Sequence, residues 1–170
     1  MDKTITTVLL IVISMVMAVA LFNVAYPATL QAGDALTNMA SRSSDRLRSQ
    51  VEIIHATAEI AADGDWHDVN GNGNFDVFVW VKNIGASRIA PIERVDVFFG
   101  PEGNFGRIPH QSEANGGYPY WTTSVSDGGD WTPTATLEID IHHLTPAESG
   151  RYFVRVVTPN GVSDNTFFSW

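Results

Sequence analysis

The stretch Val8-Leu-Leu-Ile-Val-Ile-Ser-Met-Val-Met-Ala-Val-Ala-Leu-Phe22 decides the architecture of this chain. Ser14 is its only polar residue, Asn23 interrupts the apolar run, and Pro27 ends it. A membrane span needs roughly 20 apolar residues, and Ile5 to Tyr26 supply that number. A segment this apolar has to be covered by lipid or by other protein, because water solvates it poorly.

Three interpretations fit the apolar stretch. A secretory signal peptide would have only Lys3 as its basic flank, offset by Asp2, and no good small-residue cleavage site follows the run, because Tyr26-Pro27 lies where one would be expected. A permanent membrane anchor is the second interpretation, although the flanking charges give little orientation signal. The third is a helix that is first inserted in the membrane and later packs in a bundle of identical chains.

The residues after Pro27 favour the third interpretation, because the helical pattern continues there. Apolar residues recur at spacings of three, four and seven as far as Leu47 and Val51, with polar residues between them. The pattern predicts one helix, bent near Pro27, that reaches about Arg48 and forms a rod of ~70 Å. Other copies of the rod would bury its apolar surface, and the predicted polymerisation core is Val8, Leu9, Val12, Val16, Val19, Ala20, Leu21, Leu30, Leu36 and Met39.

Charge divides the chain into two parts. Residues 1–60 carry four basic and five acidic residues, whereas residues 61–170 carry six basic and fourteen acidic ones, so the second part holds almost all of the net charge of −9. The acidic balance argues against nucleic acid as a partner. The chain has no cysteine, which excludes disulfides, thiolate metal sites and cysteine nucleophiles.

The acidic part begins near a loop with calcium-type spacing. Asp68, Asn70, Asn72, Gly73 and Asp76 occupy positions 1, 3, 5, 6 and 9 of an EF-hand-like loop, and the carbonyl of Asn74 falls at position 7. Position 12 is Val79 rather than a bidentate glutamate, so Asp63, Asp65 or a backbone carbonyl would have to complete the shell. A solvated Asn-Gly turn between two strands is the alternative. The sequence therefore leaves a structural Ca²⁺ site and a plain turn both open.

Short apolar runs separated by Gly, Pro, Asn and Asp clusters predict an antiparallel β-sandwich after the helix. Residues 51–60 fit either a first strand or the last helical turns, and their β-branched content favours the strand. The predicted fold is α+β, with a polymerisation helix in residues 1–50 and an outer Ig-like sandwich in residues 51–170. Its further strands are expected at Phe75–Lys82, Arg94–Phe99, Tyr120–Val125, Thr134–His142, Arg151–Thr158 and Asn165–Trp170.

Enzymatic chemistry is not indicated. The five histidines form no zinc-type pair, and no nucleophile elbow, phosphate-binding glycine loop or His-Glu-x-x-His motif is present. The sequence therefore predicts a protein that is not an enzyme.

Two segments resemble a known family. Thr4-Ile-Thr-Thr-Val-Leu-Leu-Ile-Val-Ile13 resembles the mature N-terminus of archaellins, with Ile5 where bacterial type IV pilins usually carry glutamate, and Val79-Trp-Val-Lys-Asn-Ile-Gly85 resembles the strand and turn that open the archaellin-type sandwich. In addition, Leu144–Val156 resembles the approach to strand F of immunoglobulin-like domains, with Tyr152 as the corner tyrosine.

The archaellin resemblance implies a structural subunit of an extracellular, archaellum-type filament used for swimming. Such a subunit would be membrane-inserted before assembly, would be handled by type IV-like assembly and motor machinery, and would polymerise with copies of itself. Two alternatives remain open: a membrane-anchored minor archaellum component that links the motor to the cell envelope through its β-domain, and an adhesive pilus subunit.

Overall fold

The computed structural model describes residues 2–61, 65–126 and 128–170. The chain forms two compact units, Met1–Ser43 and Ser44–Trp170. The first unit is helical, and the second contains the end of the same helix followed by a β-sandwich. The predicted α+β fold is confirmed.

Helix α1 runs from Asp2 to Arg48 without interruption. Pro27 lies inside it, where the proline nitrogen has no hydrogen to donate to the carbonyl of Asn23. Every residue from Lys3 to Arg48 is exposed, and the helix is long and apolar enough to cross a membrane, with a window of mean hydropathy 2.8.

Eight strands build the sandwich, and all of their pairings are antiparallel. One sheet has the order β1-β2-β6-β5 and the other the order β4-β3-β7-β8. The bounds are β1 Val51–Ala58, β2 Phe75–Asn83, β3 Asp96–Pro101, β4 Gly106–Ile108, β5 Tyr120–Val125, β6 Thr136–His143, β7 Arg151–Val157 and β8 Ser163–Ser169.

The core lies between the two sheets and follows the alternation expected of strands. In β6, Leu137, Ile139 and Ile141 point inward and are fully buried, as the sequence pattern predicts. The valines of β2 lie beside these residues in the same sheet. The valines of β3 and β7 belong to the opposite sheet and complete the core. Trp121 and Trp131 are also fully buried in this core.

Both long sides of the sandwich are closed. On one side, the backbone N–H of Ile53 in β1 donates to the carboxylate of Asp164 in β8 at 2.7 Å. On the other side, the chain leaves β4 and crosses to the first sheet, where Trp121 N–H donates to Pro109 O at 3.0 Å and Gln111 N–H donates to Trp121 O at 2.9 Å. Closed sides protect the domain against uncontrolled strand pairing.

A buried asparagine organises the turn after β2. Asn83 is fully buried, donates to the carbonyls of Ser87 at 2.9 Å and Trp131 at 3.1 Å, and accepts the N–H of Gly85 at 3.0 Å. A Cβ atom on Gly85 would lie 2.3 Å from the carbonyl oxygen of Arg48, so only glycine fits against the helix end. The Asn-Ile-Gly sequence thus fixes the place where the chain leaves α1 and enters the sandwich.

The C-terminal strands confirm two further expectations. The Tyr152 hydroxyl donates to Glu148 O at 2.7 Å, which is the geometry of a tyrosine corner. Trp170 stacks on Tyr152 with ring centroids 3.8 Å apart, so the final strand belongs to the sandwich.

Three details differ from the sequence-based expectations. Residues Ile92–Arg94 form a 3-10 turn, so β3 begins at Asp96 rather than at Arg94. Thr134 has a φ of 71°, which is incompatible with strand geometry, and β6 therefore begins at Thr136. The short strand β4 lies in a Gly- and Pro-rich segment that carries no strand pattern.

Candidate functional site

The apolar half of α1, residues 5–26, carries most of the exposed large apolar side chains of the described residues. All ten residues predicted for the polymerisation core lie on α1 and are exposed, with Leu21 at 70% and Met39 at 69%. At 100° per residue, seven of the ten fall within about one third of the helix circumference, whereas Leu21, Leu36 and Met39 fall on the other side. Lipid or other helices would have to contact more than one face of α1 to cover them all.

Hydroxyl side chains in this half are satisfied within the helix. Thr7 donates to Lys3 O at 2.8 Å, and Ser14 donates to Leu10 O at 2.8 Å. Such back-bonding removes the cost of placing a hydroxyl in an apolar medium. The hydroxyls of Thr7 and Ser14 are therefore compatible with burial in a membrane.

The second candidate site is the loop that precedes β2. The Asp68 carboxylate accepts three backbone N–H groups, from Gly71 at 2.6 Å, Asn72 at 3.1 Å and Gly73 at 2.8 Å. Gly71 and Gly73 have φ values of 73° and 76°, which favour glycine. Asp68 thus closes the loop on itself.

Asp76 connects this loop to the sheet. It is fully buried, and its Oδ2 atom accepts N–H groups from the side chains of Asn70 and Asn72, both at 2.7 Å. Its Oδ1 atom lies 2.7 Å from Nδ1 of His142, whose Nε2 atom lies 2.9 Å from the Thr122 hydroxyl. This chain of contacts joins the loop to the sheet through β2, β6 and β5.

His142 lies on the outward face of β6 but is only 8% exposed. The Tyr120 ring packs 4.9 Å from the imidazole, centroid to centroid. Little of the ring is accessible to a substrate, so the Asp76–His142–Thr122 contacts serve to hold strands together.

Sequence reasoning missed Glu59, the other buried carboxylate at this end of the sandwich. Glu59 is 3% exposed, accepts the indole N–H of Trp66 at 3.3 Å and also accepts the backbone N–H of Val69. Its own N–H donates to Asp76 O at 3.0 Å. The sequence offers one signal for a buried carboxylate here, because Glu59 directly follows the strand β1.

The electrostatics of the outer face of this sheet are set by burial and by neighbouring acids. Burial, together with the nearby Glu138 and Asp76 carboxylates, raises the pKa of Asp140 to about 6 against the lowering effect of His142. Burial also lowers the pKa of His143. Asp140 Oδ1 has no hydrogen-bond partner in the described part of the chain, so its ionised form is poorly stabilised.

The predicted calcium ligands are brought together only in part. The side-chain oxygens of Asn70 and Asn72 accept backbone N–H groups of the loop, and the two amide nitrogens face Asp76. Asn74 accepts the Tyr118 hydroxyl at 3.0 Å. A cation at Asp76 would have to replace the two amide N–H groups that now satisfy it.

No group of three or more His, Asp or Glu side chains within residues 2–61, 65–126 and 128–170 is placed to hold a metal ion. Asp63, one candidate for completing the shell, lies outside these residues, while Asp65 lies within them. The calcium site stays a prediction.

Comparisons with known proteins address the chain as a whole. The family model for archaeal-type flagellin matches residues 3–168. The archaellum periplasmic stator protein FlaG from Sulfolobus acidocaldarius is similar, with 27% identity and a TM-score of 0.54 over 71% of this chain and 99% of that chain.

A chain from the complex of the stator proteins FlaF and FlaG from the same organism is also similar. The identity is 26% and the TM-score 0.53, over 71% of this chain and 89% of that one. A comparison with curated protein sequences gives no match.

Proposed function

The chain belongs to the archaeal-type flagellin family, and we propose that it is a membrane-anchored archaellum subunit that links the motor to the cell envelope through its β-sandwich. One observation carries this proposal. The chain is similar to a periplasmic stator protein over 99% of the solved chain of that protein, so the fold seen in that structure has a counterpart here. The long apolar helix would then serve as the anchor.

The two units suit an anchored role for physical reasons. Ile5 to Tyr26 can span the hydrocarbon layer, because their hydroxyls are bonded within the helix. The following residues, up to Ser43, continue as a more polar helix of roughly 25 Å. The sandwich has a filled core and two closed sides, so a sideways load meets packed strands rather than a free edge.

A filament subunit remains the second candidate. It is favoured by the family match itself, which covers both the helix and the sandwich, and by the full exposure of the predicted polymerisation core. In that role the helices would leave the membrane and form the centre of an extracellular polymer. The two functions differ in where the mature protein resides.

Mechanical shearing separates the two functions. Filaments are sheared from motile cells, and the chain is quantified in the sheared material and in the washed membranes. An anchored subunit is expected in the membrane fraction, extractable only with detergent. A large excess in the sheared filaments, at the level of their main protein, would overturn the anchored role. A small cytosolic enzyme serves as the marker for cell lysis.

A further inference from the structure

Asn115 and Gly116 form the centre of a tight turn in the segment that connects β4 to β5. The turn is closed by the Gly117 N–H, which donates to Ala114 O at 2.8 Å. The φ values of Asn115 and Gly116 are 50° and 78°, both positive, as a type I′ turn requires. Asn-Gly is the sequence that such turns favour. Both central residues are exposed, so water reaches the peptide group between them.

The chain contains four Asn-Gly pairs, and their glycine N–H groups lie in different environments. Gly71 and Gly73 donate to the Asp68 carboxylate at 2.6 and 2.8 Å. Gly161 donates to a backbone carbonyl at 2.8 Å. The Gly116 N–H, in contrast, has no hydrogen-bond acceptor in the described part of the chain. The backbone nitrogen of Gly116 is therefore the most available of the four for reaction.

The four asparagine side chains differ in the same way. Asn70 and Asn72 donate to one buried carboxylate at 2.7 Å, and each also accepts a backbone N–H group of its loop. The side-chain oxygen of Asn160 accepts a hydroxyl group at 2.5 Å. Asn115 makes a single contact within the described residues, a long hydrogen bond from Nδ2 to a backbone carbonyl at 3.3 Å. Its side chain can therefore turn toward the Gly116 nitrogen at little cost.

We propose that Asn115 is a site of spontaneous deamidation, in which the backbone nitrogen of Gly116 attacks the Asn115 side chain. The nitrogen loses its proton to a base in the solvent and forms a bond to Cγ of Asn115. The bond between Cγ and Nδ2 breaks, the amide nitrogen takes up a proton, and it leaves as ammonia. Water then opens the resulting succinimide ring at one of its two carbonyl groups, and the ring nitrogen regains a proton. The products are aspartate or isoaspartate, and water is the only co-reactant.

The two products change the turn in different ways. Aspartate keeps the backbone intact and tolerates a positive φ, but it adds a carboxylate two residues from Glu113, which pairs with Arg107 at 2.9 Å. Isoaspartate inserts an additional methylene group into the backbone, which shifts the Gly117 N–H away from Ala114 O. Either product adds one negative charge to a chain whose net charge is already −9.

Peptide mapping of the full-length, detergent-solubilised chain tests the proposal. The folded chain is incubated at mildly alkaline pH, and mass spectrometry of its digests follows the conversion of all four Asn-Gly pairs over time. Asn115 is expected to react faster than the other three asparagines. The difference from Asn70 and Asn72 should be at least roughly tenfold, because a hydrogen bond to a charged acceptor has to open before either of them reacts.

Two controls separate the effect of the structure from that of the local sequence. In denaturant, the four pairs should react at similar rates, because no N–H group is then held by the fold. Asp68→Ala removes the acceptor of the Gly71 and Gly73 N–H groups, so it should accelerate reaction at Asn70 and Asn72 and leave Asn115 unchanged. Tryptophan fluorescence checks that this variant is folded, and the comparison within the wild-type chain is decisive if it is not.

Three results would overturn the proposal. The first is a rate at Asn115 in the folded chain that is no higher than the rates at the other three pairs. The second is the same preference for Asn115 in denaturant, since the local sequence alone would then explain it. The third is an unchanged rate at Asn70 and Asn72 in folded Asp68→Ala, which would show that the hydrogen bonds of the glycine N–H groups do not control the reaction.

Discussion

Replacing Asn83 with alanine should destabilise the sandwich strongly, although the residue is polar and lies at the very end of β2. Asn83 is fully buried and makes three hydrogen bonds, two to carbonyls and one from the Gly85 N–H. The substitution removes the partner of each group without opening a path for water. We expect the free energy of unfolding to fall by more than the average for a point mutation.

The magnitude follows from the contacts. A buried polar group left without a partner costs about 1–3 kcal/mol, and each of the two carbonyls keeps a second lone pair that limits the loss. We expect a total of about 3–5 kcal/mol, against a typical total stability of about 5–15 kcal/mol. For a sandwich of this size the loss corresponds to a fall in Tm of roughly 10–20 °C.

Tryptophan fluorescence of the detergent-solubilised full chain measures the effect. All five tryptophans follow residue 60, so the signal reports the sandwich and not the helix. Asn165→Ala is the matched control, because Asn165 is exposed on β8 and should change the free energy by no more than about 0.5 kcal/mol. If Asn83→Ala lowers the free energy of unfolding by less than about 1 kcal/mol, the idea that Asn83 stabilises the turn after β2 is refuted.

Three further predictions follow from the same contacts. Gly85→Ala should destabilise the sandwich, because its Cβ atom would lie 2.3 Å from Arg48 O; a Tm within a degree of wild type would contradict this. Asp140→Asn should raise Tm at pH 7 and change it little at pH 3. The folded-state pKa of Asp140, about 6, lies above the unfolded value of 3.8, so ionisation of the aspartate lowers stability as the pH rises from the unfolded to the folded pKa. Equal changes in Tm at pH 3 and pH 7 would contradict the burial argument. Calcium should raise Tm of the wild type and not of Asp68→Ala; no calcium-dependent shift in the wild type would remove the calcium prediction.

The parts of the fold that could be predicted are those with a simple period. The 3-4 spacing after Pro27 predicts the helix to Arg48, and the alternation at Leu137, Ile139 and Ile141 predicts the inward face of β6. These patterns are visible because apolar residues recur with the period of the helix or the strand over many residues. The corner tyrosine was also predictable, because Tyr152 occupies its place in a recognisable local sequence.

Features that depend on single long-range contacts could not be predicted. His142 is buried because Asp76 lies across the strand pair, and nothing near His142 in the sequence signals that partner. Glu59 is buried because Trp66 and Val69 donate to it, although a glutamate is usually solvated. The crossing of the chain from β4 to β5 likewise rests on two backbone hydrogen bonds in an irregular segment.

The loop at residues 68–76 shows how spacing alone can be ambiguous. The same Asp and Asn spacing that suits a hard cation also suits a loop in which Asp68 accepts backbone N–H groups and Asn70 and Asn72 donate to Asp76. Both arrangements need alternate side chains on one side and glycine at the bends. Sequence spacing therefore identified the loop and its residues. It did not show whether the side-chain oxygens bind a cation or accept N–H groups.

The most direct test of the anchored role is deletion of this chain followed by electron microscopy and a swimming assay of the same cells. Re-expression of the full chain is the control for effects on neighbouring genes. An anchored subunit that links motor and envelope predicts cells with filaments of normal length and diameter that do not swim. Cells that lose the filament altogether would contradict the anchored role and would identify the chain as a filament subunit.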